Sequence, residues 1–327
     1  YFVVTLKNSK LFIVSENNDG TDWNAVDEGS AEADPDDTVA PGEIGGRLFI
    51  IGSETTQPYQ NIGGSDFPFS AIPASTLEKG CYAPFSVVKA NSNLMFIGGG
   101  EKEAPAVWAF DGSGFNKLSH EGIDFLLGQM SEQELAAIHG WSYAERGAFF
   151  VGFTLTDTTI VYDFATGRWH ERRTRVYDSA GYPAETKWRA CDVVRAYNLT
   201  LVGDNSSGKI GQADLETFSE YGDEILRYAS SQPFENQGDS FRVPKIEVTT
   251  ESGSSNSTET DPQIRLSLSR NGIDFGHERS RAIGKVGERN KRQIWKKNGR
   301  FERRSAIKVS HSDKSKFVVV KLEAVFA

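Results

Sequence analysis

The chain has 327 residues, 38% of them hydrophobic and 25% charged, a balance that supports one large or two ordinary folded domains. Apolar runs such as residues 48–51 and 317–320 fall far short of the roughly 18 residues that a spanning helix needs, which excludes helical membrane spans. The net charge of −9 weighs against a general nucleic-acid binder, yet residues 16–37 hold nine acids and no Lys or Arg, whereas residues 270–316 hold fifteen Lys or Arg against five Asp or Glu.

The chain opens at Tyr1 inside a strand-like run, residues 2–6, which predicts that a natural N-terminal portion is missing. Five apolar strands ending in a small residue then recur at residues 10–15, 47–52, 93–98, 147–152 and 198–203. The last four end at Gly52, Gly98, Gly152 and Gly203, separated by 46, 54 and 51 positions. Second and third strands follow several of them. Residues 107–110 and 115–118 flank a turn at 111–114, residues 159–162 and 169–172 flank Asp163 to Gly167, and residues 209–213 and 217–219 flank Asp214. Three antiparallel strands repeated at this spacing predict an all-β fold, a β-propeller of degenerate 45–55-residue blades over residues 1–230.

Two stretches depart from the repeat. Residues 55–69 carry two prolines and a Gly pair and read as a structured loop. Ser131 and Glu134 form a capping box that opens a helix running to Ile138, expected to connect blades across one end of the propeller. Cys81 and Cys191, 110 positions apart, read as two reduced thiols.

Near Tyr228 the repeat ends. A second module, residues 231–327, is predicted with strands at 241–250 (broken by Pro244), 263–269, 291–297, 305–310 and 317–326, and a Ser/Thr/Gly loop at 251–260. This is a small antiparallel sheet or sandwich.

No catalytic constellation is legible. The five histidines are scattered without metal-ligand spacing, and the Gly run at 98–100 lacks the helix a phosphate loop requires. Residues 269–275 approximate the Asp-box, a structural turn that recurs in sialidases, themselves propellers. The strongest electrostatic feature is a set of candidate partner-facing or DNA-facing residues: Lys291, Arg292, Lys296, Lys297, Arg300, Arg303 and Arg304, flanking Trp295 and Phe301. Strand alternation puts Arg292, Ile294 and Lys296 on one side and Lys291, Gln293, Trp295 and Lys297 on the other. A solvated face, a partner interface and direct DNA contact all fit this composition.

Three stretches, in this order, carry a family resemblance. They are NIGGSDFPF (61–69) followed by Gly80 and Cys81; VYD (161–163) with TGRWHER (166–172); and residues 261–269 with GKVGE (284–288), IWKK (294–297) and GRF (299–301). With them the chain resembles the tail hub, or packaged DNA stabilisation, proteins of short-tailed bacteriophages. It departs from them at Asn271-Gly272-Ile273 and Phe275, where the family has a Gly pair and a Trp, and at Lys296 and Lys297, where the family is Arg-rich.

The resemblance implies a virion tail component assembled in the host cytoplasm: a ring of identical subunits, six in such hubs, that extends the portal channel below the head-to-tail adaptor. Such a hub carries tailspikes or fibres, holds the needle or plug, retains packaged double-stranded DNA and passes it at ejection. It implies no enzymatic activity, metal or cofactor. The opposite charges of the chain's two ends would meet across subunits. The rival expectation is a propeller glycosidase or sialidase, or a carbohydrate-binding propeller, acting on host surface sugars.

Overall fold

Continuous apolar runs in a β protein indicate strands covered on both faces, and the fold is built on that arrangement. The computed structural model describes residues 1–32, 36–64, 67–253 and 261–326. Asp34 of the acidic run, Ser65 and Asp66 of the first family stretch, and residues 254–260 of the expected polar loop lie outside them. The chain forms two compact units, Tyr1–Arg173 with Thr186–Gln212, and Thr174–Glu185 with Ala213–Ala327.

The first unit contains five antiparallel sheets in chain order. Their inner strands are Leu11–Glu16, Arg47–Gly52, Asn93–Gly99, Ala148–Thr154 and Leu199–Asp204, which are the five predicted apolar runs. Side chains of Arg47–Gly52 alternate between two cores: Leu48 and Ile50 join Phe12 of the preceding sheet and Tyr59 of the neighbouring strand, while Phe49 and Ile51 join Leu94, Phe96 and Phe110. The next sheet repeats the arrangement. Leu94 and Phe96 point back into that second core, and Met95 and Ile97 point forward to Val151, Phe153 and Ile160. Each of the first three sheets therefore covers its successor, and each fully buried Phe, Ile or Leu contributes about 1.5–3 kcal/mol.

The repeated glycine at the strand end has no common cause. At Gly98 a Cβ would stand 1.9 Å from the Gly80 carbonyl oxygen, because the short strand Gly80–Cys81 pairs directly against it. At Gly152 it would strike the ring of its cross-strand partner Trp141, at 2.1 Å. At Gly203 the nearest atoms are 3.9 Å away, an ordinary contact. Gly98→Ala is thus expected to cost about 1–3 kcal/mol through overpacking. Gly203→Ala should stay within about 0.5 kcal/mol. Urea denaturation of both variants checks the contrast, and equal effects would contradict it.

Two expectations need correction. Residues 55–69 are not all loop: Thr56–Asn61 is a strand paired with Arg47–Gly52, with Pro58 opposite Phe49. The proline is tolerated because its carbonyl, and with it the side where its missing N–H would point, faces Phe69–Ala71, where it accepts the Ile72 N–H just past that strand's end. The other correction concerns residues 217–219, expected as a third strand of the fifth sheet. The Asp214 carboxylate accepts the Glu216 N–H and the Thr217 hydroxyl, turning the chain away, and Ser219–Glu220 instead pairs with Asp223–Glu224 in the second unit.

The capping box forms as read: the Ser131 N–H and hydroxyl donate to the Glu134 carboxylate at 2.8 Å, and Glu134 N–H donates back to Ser131 Oγ at 3.3 Å. A second helix, Glu121–Gly128, is capped by the His120 ring. Ile123, Leu127, Leu135 and Ile138 bury the two helices in the core shared by the third and fourth sheets. Both cysteines are free thiols, and burial pushes Cys81 up to about 12.

The second unit is a sandwich-like pair of layers. One sheet contains Arg227–Ser230, Arg304–His311, Gln263–Ser269 and Arg279–Ala282, and another contains Gln293–Lys296, Lys245–Thr250 and Val319–Val325. Ile264, Leu266, Ile307 and Val309 meet Ile246, Val248, Trp295 and Phe301 in a single core. Pro244 separates Lys245–Thr250 from the short strand Phe241–Arg242, which pairs with Arg300–Phe301. The Asp-box-like stretch is a turn, in which the Asn271 side chain accepts the N–H groups of Ile273 and Asp274 and Ser269 bridges to Phe275.

Candidate partner interface

The basic segment resolves into three kinds of residue. Trp295 is fully buried, and its Nε1 donates to the Arg279 carbonyl at 2.8 Å. It does not face a partner; the strand alternation that pairs it with Gln293 turns both inward, as the burial of Gln293–Lys296 shows. Its aromatic character serves the core.

Arg292 and Lys291 are exposed but have carboxylate neighbours. Arg292 makes a two-pronged pair with Glu247 at 2.6 and 2.8 Å, and together with Lys245 it holds the Glu247 carboxyl down to about 2. Lys291 reaches Glu288 loosely, at 4.0 Å.

Lys296, Lys297, Arg300, Arg303 and Arg304 are exposed, and among the described residues none has an acidic side chain within ion-pair distance. Arg300 donates to the Ser240 hydroxyl at 2.6 Å. The turn presenting Lys297 is tied down by hydrogen bonds: Lys297 has φ +57°, and buried Asn298 donates to the Trp295 carbonyl at 3.1 Å and accepts from Arg279 at 2.6 Å.

Sheet pairing concentrates the charge further. Arg242 lies directly opposite Arg300, and Lys245 directly opposite Lys296. Like charges facing one another across strands are destabilising by up to about 1 kcal/mol each. Arg242 is not legible as part of this face in the sequence because it is remote from Arg300 along the chain, and only the register brings the two together.

The acidic run lies on the first sheet. Glu16, Asp19, Asp22, Glu28 and Glu32 are exposed, and Asp19–Ser30 is an edge strand of its sheet. Asp36 instead ties down a turn, its carboxylate accepting the N–H groups of Glu54 and Thr55, both at 2.9 Å.

Other polar groups that could suggest chemistry are occupied. The Arg172 guanidinium sits 4.9–5.7 Å from the ring centroids of Trp188, Phe150, Tyr143 and Trp141 and donates to the Tyr143 hydroxyl at 2.7 Å. Neighbouring His170 lies at the sheet surface, where partial desolvation and then the charge of Arg172 hold its ring below the ordinary imidazole value. A depression of about 580 Å³ is lined by Ser131, Gln133, Glu134, Leu155 and Lys187, but the Glu134 carboxylate there is engaged in the helix cap. Among the described residues no His, Cys, Asp and Glu gather as a metal site.

Stacked antiparallel sheets followed by a two-layered β module, the latter with an unpaired cationic face, define a β-propeller joined to a β-sandwich. The chain belongs to the bacteriophage P22 Gp10 family: residues 1–218 match its β-propeller and residues 227–327 its β-sandwich. This is the phage tail hub family that the three sequence stretches indicated. The chain is 21% identical over 292 residues to the tail hub protein gp10 of Salmonella phage P22, covering 87% of this chain and 59% of that protein.

Among solved structures, an exo-β-1,3-galactanase from Phanerochaete chrysosporium aligns over 99% of this chain and 95% of its own, at 8% identity and a TM-score of 0.31. An arabinoxylan arabinofuranohydrolase from Bacillus subtilis aligns over 99% of this chain and 76% of its own, at 12% identity and a TM-score of 0.25.

Proposed function

We propose that the chain is a structural tail hub of a short-tailed bacteriophage. Membership of the P22 Gp10 family across both modules, with a relative that is itself a tail hub protein, carries this reading. In it, identical subunits form a ring, of six copies, that extends the channel of the portal and head-to-tail adaptor, anchors tailspikes or fibres, and seats the needle or plug. The ring retains packaged double-stranded DNA and conducts it at ejection. The protein is not an enzyme on this reading, and it works as two modules, a propeller and a sandwich that already includes Arg227–Ser230. The exposed cations at Lys296, Lys297, Arg300, Arg303 and Arg304 belong to its docking surfaces, with Lys291 and Arg292 at their margin.

Virus particles assembled without this protein are expected to package DNA and then lose it to added nuclease, with purified protein restoring protection. Particles that keep their DNA without it would contradict the proposal, as would hydrolysis of host surface polysaccharide by the purified protein.

A further inference from the structure

We propose that the cationic face around Lys296, Lys297, Arg300 and Arg242 docks on the acidic edge strand of a second copy of this chain, joining copies head to tail. This rests on the ring reading and names the contact that closes the ring.

The basic face is built to receive an anionic surface. On the same sheet Arg292 and Lys245 have a carboxylate supplied by Glu247, whereas Lys296 and Lys297 next to them have none. Arg242 and Arg300 stand opposite one another, each exposed and without an acid in reach. A fold that places cations in facing pairs holds them against repulsion, and an anionic surface seated across them removes that repulsion. The turn bearing Lys297 is pinned by Asn298, so the face is preformed.

Charge complementarity identifies the occupant. Glu16, Asp19, Asp22, Glu28 and Glu32 are exposed at the first sheet, with no Lys or Arg within ion-pair distance among the described residues. Two complementary surfaces at different places on one chain make a heterologous contact, the kind that repeats head to tail and closes rings. An isologous contact pairs the same two surfaces twice and stops at a dimer, whereas a ring needs a contact that repeats. Double-stranded DNA would also satisfy the cations, but it would leave the acidic strand unmatched and meet a chain of net charge −9.

The test uses two triple variants of the protein. One carries Glu16→Lys, Asp22→Lys and Glu28→Lys; the other carries Lys296→Glu, Lys297→Glu and Arg300→Glu. Because these side chains are exposed, thermal melts should match wild type. Each variant alone should lose self-association by about a hundredfold or more, since like-charge surfaces now face one another. Mixed in equal amounts they should assemble again, alternating around the ring, with the assembly weakening as salt rises.

Native mass spectrometry and sedimentation velocity read both effects. Rings from either variant alone, or no recovery on mixing, would overturn the proposal. Loss of DNA retardation confined to the second variant, with no recovery of assembly on mixing, would give the face to DNA and overturn it too. Wild-type protein that never assembles would instead overturn the ring reading, and the proposal with it.

Discussion

Trp295→Ala is expected to lower the stability of the sandwich by about 3–5 kcal/mol, the usual cost of removing a buried aromatic side chain. The indole is fully buried among Ile246, Val248, Ile264 and Phe301, and it supplies the Arg279 carbonyl with its 2.8 Å hydrogen bond. Alanine leaves a cavity and removes that donor. Phenylalanine preserves most of the packing and loses chiefly the hydrogen bond, about 1 kcal/mol. Lys296→Ala, one residue along and exposed, should stay within about 0.5 kcal/mol. Chemical denaturation of the three variants separates these outcomes. Unchanged stability in Trp295→Ala with weakened assembly would return the tryptophan to an interface.

Asp204→Asn is expected to lower stability by about 1–3 kcal/mol at neutral pH, because the carboxylate that pairs with Arg189 loses its charge in a site shielded from water. The Asp204 side chain is fully shielded from solvent, and its oxygens accept from Arg189 Nε at 3.1 Å and Nη2 at 2.6 Å. The hydroxyls of Ser206 and Ser207 also donate to it. Arg189 foremost, aided by these serines, holds the carboxyl well below its ordinary value of 3.8. A carboxyl whose folded pKa is depressed contributes stability that is present above its unfolded pKa and is lost as pH falls through the folded value. Wild-type stability should therefore decline below about pH 4 more steeply than that of Asp204→Asn. Melting temperatures of both proteins from pH 7 to pH 3 measure this; parallel curves would contradict the assignment.

The first unit was legible in the sequence for a physical reason. Strands such as Arg47–Gly52 and Asn93–Gly99 are buried on both faces, so they read as unbroken apolar runs ended by a residue without room for a side chain. The capping box at Ser131 was equally local. What escaped was set by pairing at a distance. Arg279–Ala282 is a strand with the sequence RSRA, which has no apolar pattern, and it forms because Gln263–Ser269 offers it an edge. Thr56–Asn61 is a strand despite Pro58, since the missing donor falls where the ladder ends.

At the candidate interface the charged run was visible but its division was not. Period-2 alternation already set Trp295 with Gln293, yet which of the two sides faces the core depends on Ile246 and Val248 across the sheet. Neutralisation of Arg292 required Glu247, and the doubling of charge at Arg300 required Arg242, both on strands far away in sequence. The Arg172 guanidinium likewise gathers Trp141, Tyr143, Phe150 and Trp188 from separate segments of the chain, a grouping that no local pattern announces.

The tail hub reading is tested most directly by native mass spectrometry of the purified protein with the portal and head-to-tail adaptor of its own phage. A closed ring of six identical subunits bound to the adaptor is the expected result. A protein that remains monomeric and never joins that assembly would contradict it.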